Sequence, residues 1–210
     1  MWRDMKSIRY NLHFPALIVA MLVFWFTKDA HFPFWKTEMN FFQYGLMGVL
    51  HATALVVSLR HRKTSHPILA LSFIMLAAVW SAATPILGLW GSVVWIPLAD
   101  LLRSSGLGGA AILLTGSAIG AAGYWLLVRL FWLKSLRRLD CLRSVSLCVV
   151  ATLLACAAAE ALPKNVPDDV TSFILTVAWW FAFSISLYWS EPRGHADKSI
   201  GQPEFSYHGG

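Results

Sequence analysis

Residues Tyr44 to Lys63 read YGLMGVLHATALVVSLRHRK, a nearly uninterrupted apolar run with one histidine, His51, at its centre and a basic cluster, Arg60, His61, Arg62 and Lys63, at its end. An ionisable side chain deep in such a segment is either satisfied by a neighbour or kept because it carries a proton, a metal or a substrate. Which of these applies depends on what surrounds the run.

The surroundings are equally apolar. Of 210 residues, 57% are hydrophobic and 13% charged, against about 25% charged in soluble domains, so a water-soluble core of this size could not be covered. Apolar segments fall at Leu12–Thr27, Phe41–Leu59, Pro67–Leu89, Gly108–Leu133, Val145–Leu162 and Val170–Trp189, and a bilayer takes about 20 apolar residues per helix. The expected fold is all-α: a polytopic transmembrane bundle of about six spans, one domain over 1–190, followed by a flexible polar tail over 191–210. The charged start and apolar middle of the first span resemble a signal peptide. However, FTKDAHF offers no small-x-small cleavage pattern, so the span is read as uncleaved.

The basic residues set an orientation. With the amino terminus inside, the cytoplasmic segments hold Arg3, Lys6, Arg9, Arg60, Arg62, Lys63, Arg129, Lys134, Arg137, Arg138, Arg143, Arg193 and Lys198, leaving only Lys28, Lys36, Arg103 and Lys164 of the 17 outside. That asymmetry follows the positive-inside rule and puts both termini in the cytoplasm. Splitting the long run Pro67–Leu102 into two spans would push the basic loop around Lys134 outside, against the same rule. The remainder, residues 91–105, is therefore read as an interfacial or re-entrant piece. The membrane that fits this topology is a bacterial inner membrane.

Several function classes drop out. The net charge of +6 follows from topology, and no soluble segment alternates aromatic and basic residues as a single-strand nucleic-acid platform would. Cys141, Cys148 and Cys156 form neither a CxxC pair nor a disulfide framework. There is no HExxH, no P-loop and no close carboxylate pair within the membrane. Haem held by two histidines would need a partner for His51 at similar depth, and the other histidines, His13 included, are read as lying at helix ends, loops or tails. No cofactor or metal is expected.

Four groups of residues remain as candidates. Tyr44, His51 and Ser58, seven apart, share a face of the second helix with Gly48 and Leu55 beside it, and are expected to face other helices rather than lipid. On the fifth helix Ser144, Cys148, Thr152, Cys156 and Glu160 follow at four-residue steps, each overshooting a turn by about 40°; the row serves packing or, alternatively, a polar path ending at Glu160. The fourth helix carries Gly109, Gly116, Gly120 and Gly123, a small surface for close helix approach. Trp179, Trp180 and Phe183 are read as packing or lipid-facing rather than as an aromatic cage. Finally, the basic loop at 127–143 presents Lys134, Arg137, Arg138 and Arg143 to anionic lipid or to a cytoplasmic protein partner.

These features lead to a non-catalytic integral membrane subunit or sensor-like component of a homo- or hetero-oligomeric assembly. The alternative is a small channel or transporter with His51 and Glu160 lining a path and Pro85 breaking the third helix. A lipid- or quinone-modifying enzyme stands third, since no nucleophile, base and oxyanion donors assemble from the sequence. A transporter predicts His51 in a wet cavity, a scaffold predicts it buried and satisfied, and an enzyme predicts convergent polar groups in a lipid-accessible pocket.

Overall fold

The computed structural model describes residues 8–27, 41–59, 67–93, 107–163 and 168–190. They form six helices: α1 (Tyr10–Thr27), α2 (Phe41–Ser58), α3 (Pro67–Ser92), α4 (Leu107–Phe131), α5 (Arg138–Glu160) and α6 (Asp168–Ser190). Five of these are long and apolar enough to cross a membrane, and the Gln43–Ser58 part of α2 is apolar but shorter. The described residues are all-helical, and their several long apolar helices are compatible with a multi-pass membrane protein. The interfacial piece expected within 91–105 lies outside the described residues from residue 94 onward, as does the tail at 191–210.

Periodicity explains which side of each helix turns inward. In α1 the buried residues are His13, Leu17, Ala20, Met21 and Phe24, a stripe at three- and four-residue steps. The outward faces carry large apolar side chains instead: Phe26 is 79% exposed, Ile68 80% and Leu154 66%. Soluble proteins rarely expose such continuous apolar surface, whereas lipid accommodates it.

Consecutive helices pack in chain order, and α6 returns to touch α1. Aromatic pairs line that last seam. Tyr10 meets Tyr188 edge-on at 4.8 Å between ring centroids, Phe14 stacks on Phe181 at 6.1 Å, and Trp25 meets Phe173 edge-on at 4.8 Å. Just before α1, Ile8 bridges to Leu59 and the Arg9 N–H donates to the Ser58 carbonyl at 2.8 Å. The start of α1 is thereby tied to the end of α2.

Two sequence expectations change. Pro85 does not break the third helix: α3 runs continuously from Pro67 to Ser92 with Pro85 inside it. Membrane helices tolerate an interior proline because neighbouring helices and polar side chains compensate for the missing backbone bond. Likewise α5 begins at Arg138, well before the expected Val145, so the basic loop shrinks to the turn at 132–137. Asp140 makes the early start possible, accepting the Arg137 N–H at 2.7 Å and so satisfying one of the orphan donors of a helix terminus. Leu133 and Leu136 in the turn are each 2% exposed and anchor it to the core.

Close approach of α2, α3 and α4 depends on glycine. A Cβ on Gly48 would come within 2.5 Å of the Ala77 carbonyl oxygen and of Ser81 Oγ. One on Gly88 would lie 2.9 Å from the Gly116 Cα. These contacts place α2 and α4 on either flank of α3, so that His51 and Tyr124 both turn into the bundle interior.

Candidate functional site

His51 lies at the middle of α2 and is 1% exposed. Four aromatic rings surround it, at centroid distances of 5.0 Å for Tyr124, 5.3 Å for Trp180, 5.9 Å for Phe183 and 6.4 Å for Trp179. Trp179, Trp180 and Phe183 thus pack in the interior, and together with Tyr124 they box the histidine. Trp179 and Phe183 stack at 5.5 Å, and Tyr124 stands edge-on to Phe183 at 5.1 Å.

The residue that the sequence reading placed at a helix end is the principal partner. His13 sits one turn inside α1, fully buried, with its ring 6.3 Å from that of His51. Its Nε2 lies 2.9 Å from Ser184 Oγ, and its Nδ1 lies 3.1 Å from Ser58 Oγ and 3.5 Å from the Ala54 carbonyl oxygen. Ser184 Oγ in turn lies 3.5 Å from His51 Nε2. A second histidine at the depth of His51 therefore exists. The Ser184 hydroxyl, rather than a gap for a metal, joins the two Nε2 atoms. Among the described residues no group of three or more His, Cys, Asp or Glu is placed to hold a metal ion.

Proton positions follow from the partners. Ser58 Oγ lies 2.8 Å from both the Ala54 and Leu55 carbonyl oxygens, which only accept, so its proton is directed there. His13 Nδ1 then donates to Ser58 Oγ, and the neutral ring leaves Nε2 as an acceptor for the Ser184 O–H. With that proton used, Ser184 Oγ accepts from His51 Nε2–H. His51 is left with a bare lone pair on Nδ1, which is buried and without a hydrogen-bond partner, as is the Tyr124 hydroxyl. The bonds run in one direction from His51 to Ser58 and end inward on an open acceptor.

Other sequence candidates divide. Ser58 joins the site, whereas Tyr44, at the start of α2, is 40% exposed and stands away from the His51 cluster. Ser144, Cys148 and Thr152 are buried and meet neighbouring helices: Ser144 Oγ lies 2.7 Å from Ser186 Oγ, and Thr152 Oγ1 lies 3.0 Å from Ser117 Oγ. The 40° drift carries the row outward, so Glu160 is exposed at the end of α5 and forms no part of the histidine site. Gly116 and Gly120 are buried against α3, Gly123 lies under Trp80, and the surroundings of Gly109 fall outside the described residues. Lys134, Arg137, Arg138 and Arg143 are all exposed, beside Leu139 and Leu142 at 64% and 62% exposure.

His13 and Ser184 were the residues that sequence reasoning missed. The available signal for His13 was its place on the stripe it shares with Leu17, Ala20 and Phe24, which puts it on the inward face of the first span. For Ser184 there was only a hydroxyl within FAFSISLYW, and its meeting with His13 is a tertiary fact. Comparison with known protein families, curated proteins and solved structures yields no match.

Proposed function

We propose that this chain is a non-catalytic integral membrane subunit or sensor-like component of a membrane protein assembly, seated in a bacterial inner membrane with both termini cytoplasmic. The observation that carries the reading is the enclosure of His51. At 1% exposure and boxed by four aromatic rings, it is enclosed among the described residues, which favours a packing role over the open, polar-lined pocket that a transporter or an enzyme uses. The turn at 132–137 and the start of α5 offer the partner surface, with Lys134, Arg137, Arg138 and Arg143 exposed together. In the proposed orientation they face the cytoplasm, where both anionic lipid and protein partners are available.

The channel or transporter alternative loses its second residue. Glu160 is exposed at the end of α5, and no hydrogen bond joins it to His51 among the described residues.

The test is the mass and composition of the native complex extracted in mild detergent. Companion proteins in fixed stoichiometry are expected. A homo-oligomer or monomer, recovered repeatedly without companions under conditions that keep known membrane complexes intact, overturns the subunit reading.

A further inference from the structure

On α5, Leu139, Leu142, Arg143, Ser146 and Leu147 stand three and four residues apart, so they share one face of the helix. Trp189, next to the end of α6, closes the other side, and together they line an open groove of about 440 Å³. Leu139, Leu142 and Trp189 are 64%, 62% and 57% exposed. Apolar surface of this kind marks a place where something from outside the chain is received.

The charge at the rim narrows what is received. Between residues 127 and 147 the chain carries five cations, Arg129, Lys134, Arg137, Arg138 and Arg143, against one carboxylate, Asp140. Arg129 is engaged over the Trp125 ring at 5.3 Å. Asp140 is engaged as well: its Oδ2 accepts the Arg137 N–H at 2.7 Å, and its Oδ1 lies 3.5 Å from Arg143 Nη1. That last separation exceeds the roughly 2.7–2.9 Å of a charge-assisted hydrogen bond, and the Arg143 side chain is 60% exposed. The Arg143 guanidinium is therefore open to a second anion.

Helix geometry says where that anion would lie. Side chains tilt toward the N-terminus of their helix, so the aliphatic stem of Arg143 runs along the leucines while its head reaches toward the start of α5. The proximity of Asp140, one turn earlier, agrees with this. Trp189 belongs at the same level, since indoles favour the boundary between headgroups and hydrocarbon. The groove is thus apolar along its floor and cationic at one end, complementary to an amphiphile with a negative head. A partner helix about 10 Å across would bring roughly the volume of the groove in a single turn, whereas a slender acyl chain runs along it.

We propose that this groove binds one anionic glycerophospholipid of the bilayer, with an acyl chain on Leu139, Leu142, Leu147 and Trp189 and the phosphate against Arg143. The guanidinium fork matches two phosphate oxygens at once, which a diffuse basic surface does not. The inference rests on the reading of the chain as an integral membrane protein with the α4–α5 turn at the bilayer surface, and it does not depend on companion proteins.

The experiment is native mass spectrometry of the full chain in detergent, titrated separately with phosphatidylglycerol and with phosphatidylcholine of the same acyl chains. One phosphatidylglycerol per chain is expected to bind first and to survive activation that strips phosphatidylcholine. Arg143→Gln should reduce the bound fraction roughly fivefold, as expected for one basic contact at a membrane surface, and Lys134→Gln, outside the groove lining, less than about twofold. Ser146→Trp keeps every charge but fills the groove, and should abolish the tightly held lipid. Leu142→Trp takes its place if thermal unfolding shows that Ser146→Trp does not fold. Equal retention of the two lipids overturns the proposal, as does an equal loss in Arg143→Gln and Lys134→Gln. Undiminished phosphatidylglycerol in the folded groove-filling variant also overturns it, and assigns the attraction to the charged turn as a whole. A chain recovered without companion proteins but holding the lipid supports the proposal while the assembly reading fails. A chain that stays in solution without detergent and binds neither lipid overturns the membrane reading and this site with it.

Discussion

The Trp80 indole lies against Gly123 so closely that a Cβ there would fall within the ring, and its Nε1 donates to the Gly120 carbonyl at 3.1 Å. One side chain thus joins the middle of α3 to α4 by packing and by a hydrogen bond, and only glycine at 123 leaves room for both. Gly123→Ala is expected to force the indole away and to cost about 1 to 3 kcal/mol, as overpacking does. Trp80→Phe, which keeps most of the apolar area but lacks the donor, should cost less, since side-chain hydrogen bonds between membrane helices average about 0.6 kcal/mol. Thermal unfolding of both variants in one detergent checks the order. Equal midpoints would mean that the indole moves freely and Gly123 imposes no packing limit.

A second comparison separates two glycines that face each other. The Cβ of Gly88→Ala would meet the Gly116 Cα at 2.9 Å, whereas that of Gly116→Ala would meet the Gly88 Cα at an ordinary 3.8 Å. Backbone cannot rotate away as a side chain can, so Gly88→Ala should destabilise the α3–α4 seam by about 1 to 3 kcal/mol. Gly116→Ala should be near neutral, and alanine's better helix propensity partly offsets any loss. The same unfolding assay decides, and a larger cost at Gly116 than at Gly88 would contradict the geometry.

These glycines also show what the sequence could and could not convey. The helices were legible because hydropathy is a property of the chain itself, and the six helices of the described residues overlap the six expected segments. Gly116 and Gly120 were visible as a spaced pair, but Gly48 and Gly88, whose contacts are tighter, carry no partner at the spacing that marks such a motif. The site was half legible. His51 stood out because it interrupts an apolar run. His13 did not, because it lies near the charged amino terminus, where a histidine is unremarked, and only the docking of α1 on α2 reveals its depth. The early start of α5 was hidden for a similar reason: Arg138, Asp140 and Arg143 read as loop until Asp140 is seen to cap the helix.

Asp140 gives the next expectation. It is 6% exposed, accepts the Arg137 N–H at 2.7 Å and lies 3.5 Å from Arg143, whose side chain is 60% exposed. A carboxylate in a first helical turn satisfies an orphan donor and complements the helix dipole, so Asp140→Ala should cost about 1 kcal/mol. The exposed ion pair contributes little of that. Arg143→Ala is therefore expected to change stability far less than Asp140→Ala when the two are unfolded side by side. If Arg143→Ala proves the more damaging, the ion pair rather than the cap holds the turn.

The exposed cations beside that turn bear on lipid. Lys134, Arg137, Arg138 and Arg143 surround the junction of α4 and α5, and Arg143 also borders a shallow groove lined by Leu139, Leu142, Leu147 and Trp189. A basic residue near an anionic membrane surface contributes about 1 kcal/mol of attraction, which salt weakens. Replacing Lys134, Arg137 and Arg138 together by glutamine should therefore reduce the anionic lipid that copurifies with the protein, read by native mass spectrometry, and leave zwitterionic lipid unchanged. Arg143→Gln added to that set should lower it further, because that cation alone borders the apolar groove. An unchanged ratio of anionic to zwitterionic lipid in all four-site and three-site variants would assign these charges to a protein partner, which would then be lost from the extracted complex in the same variants.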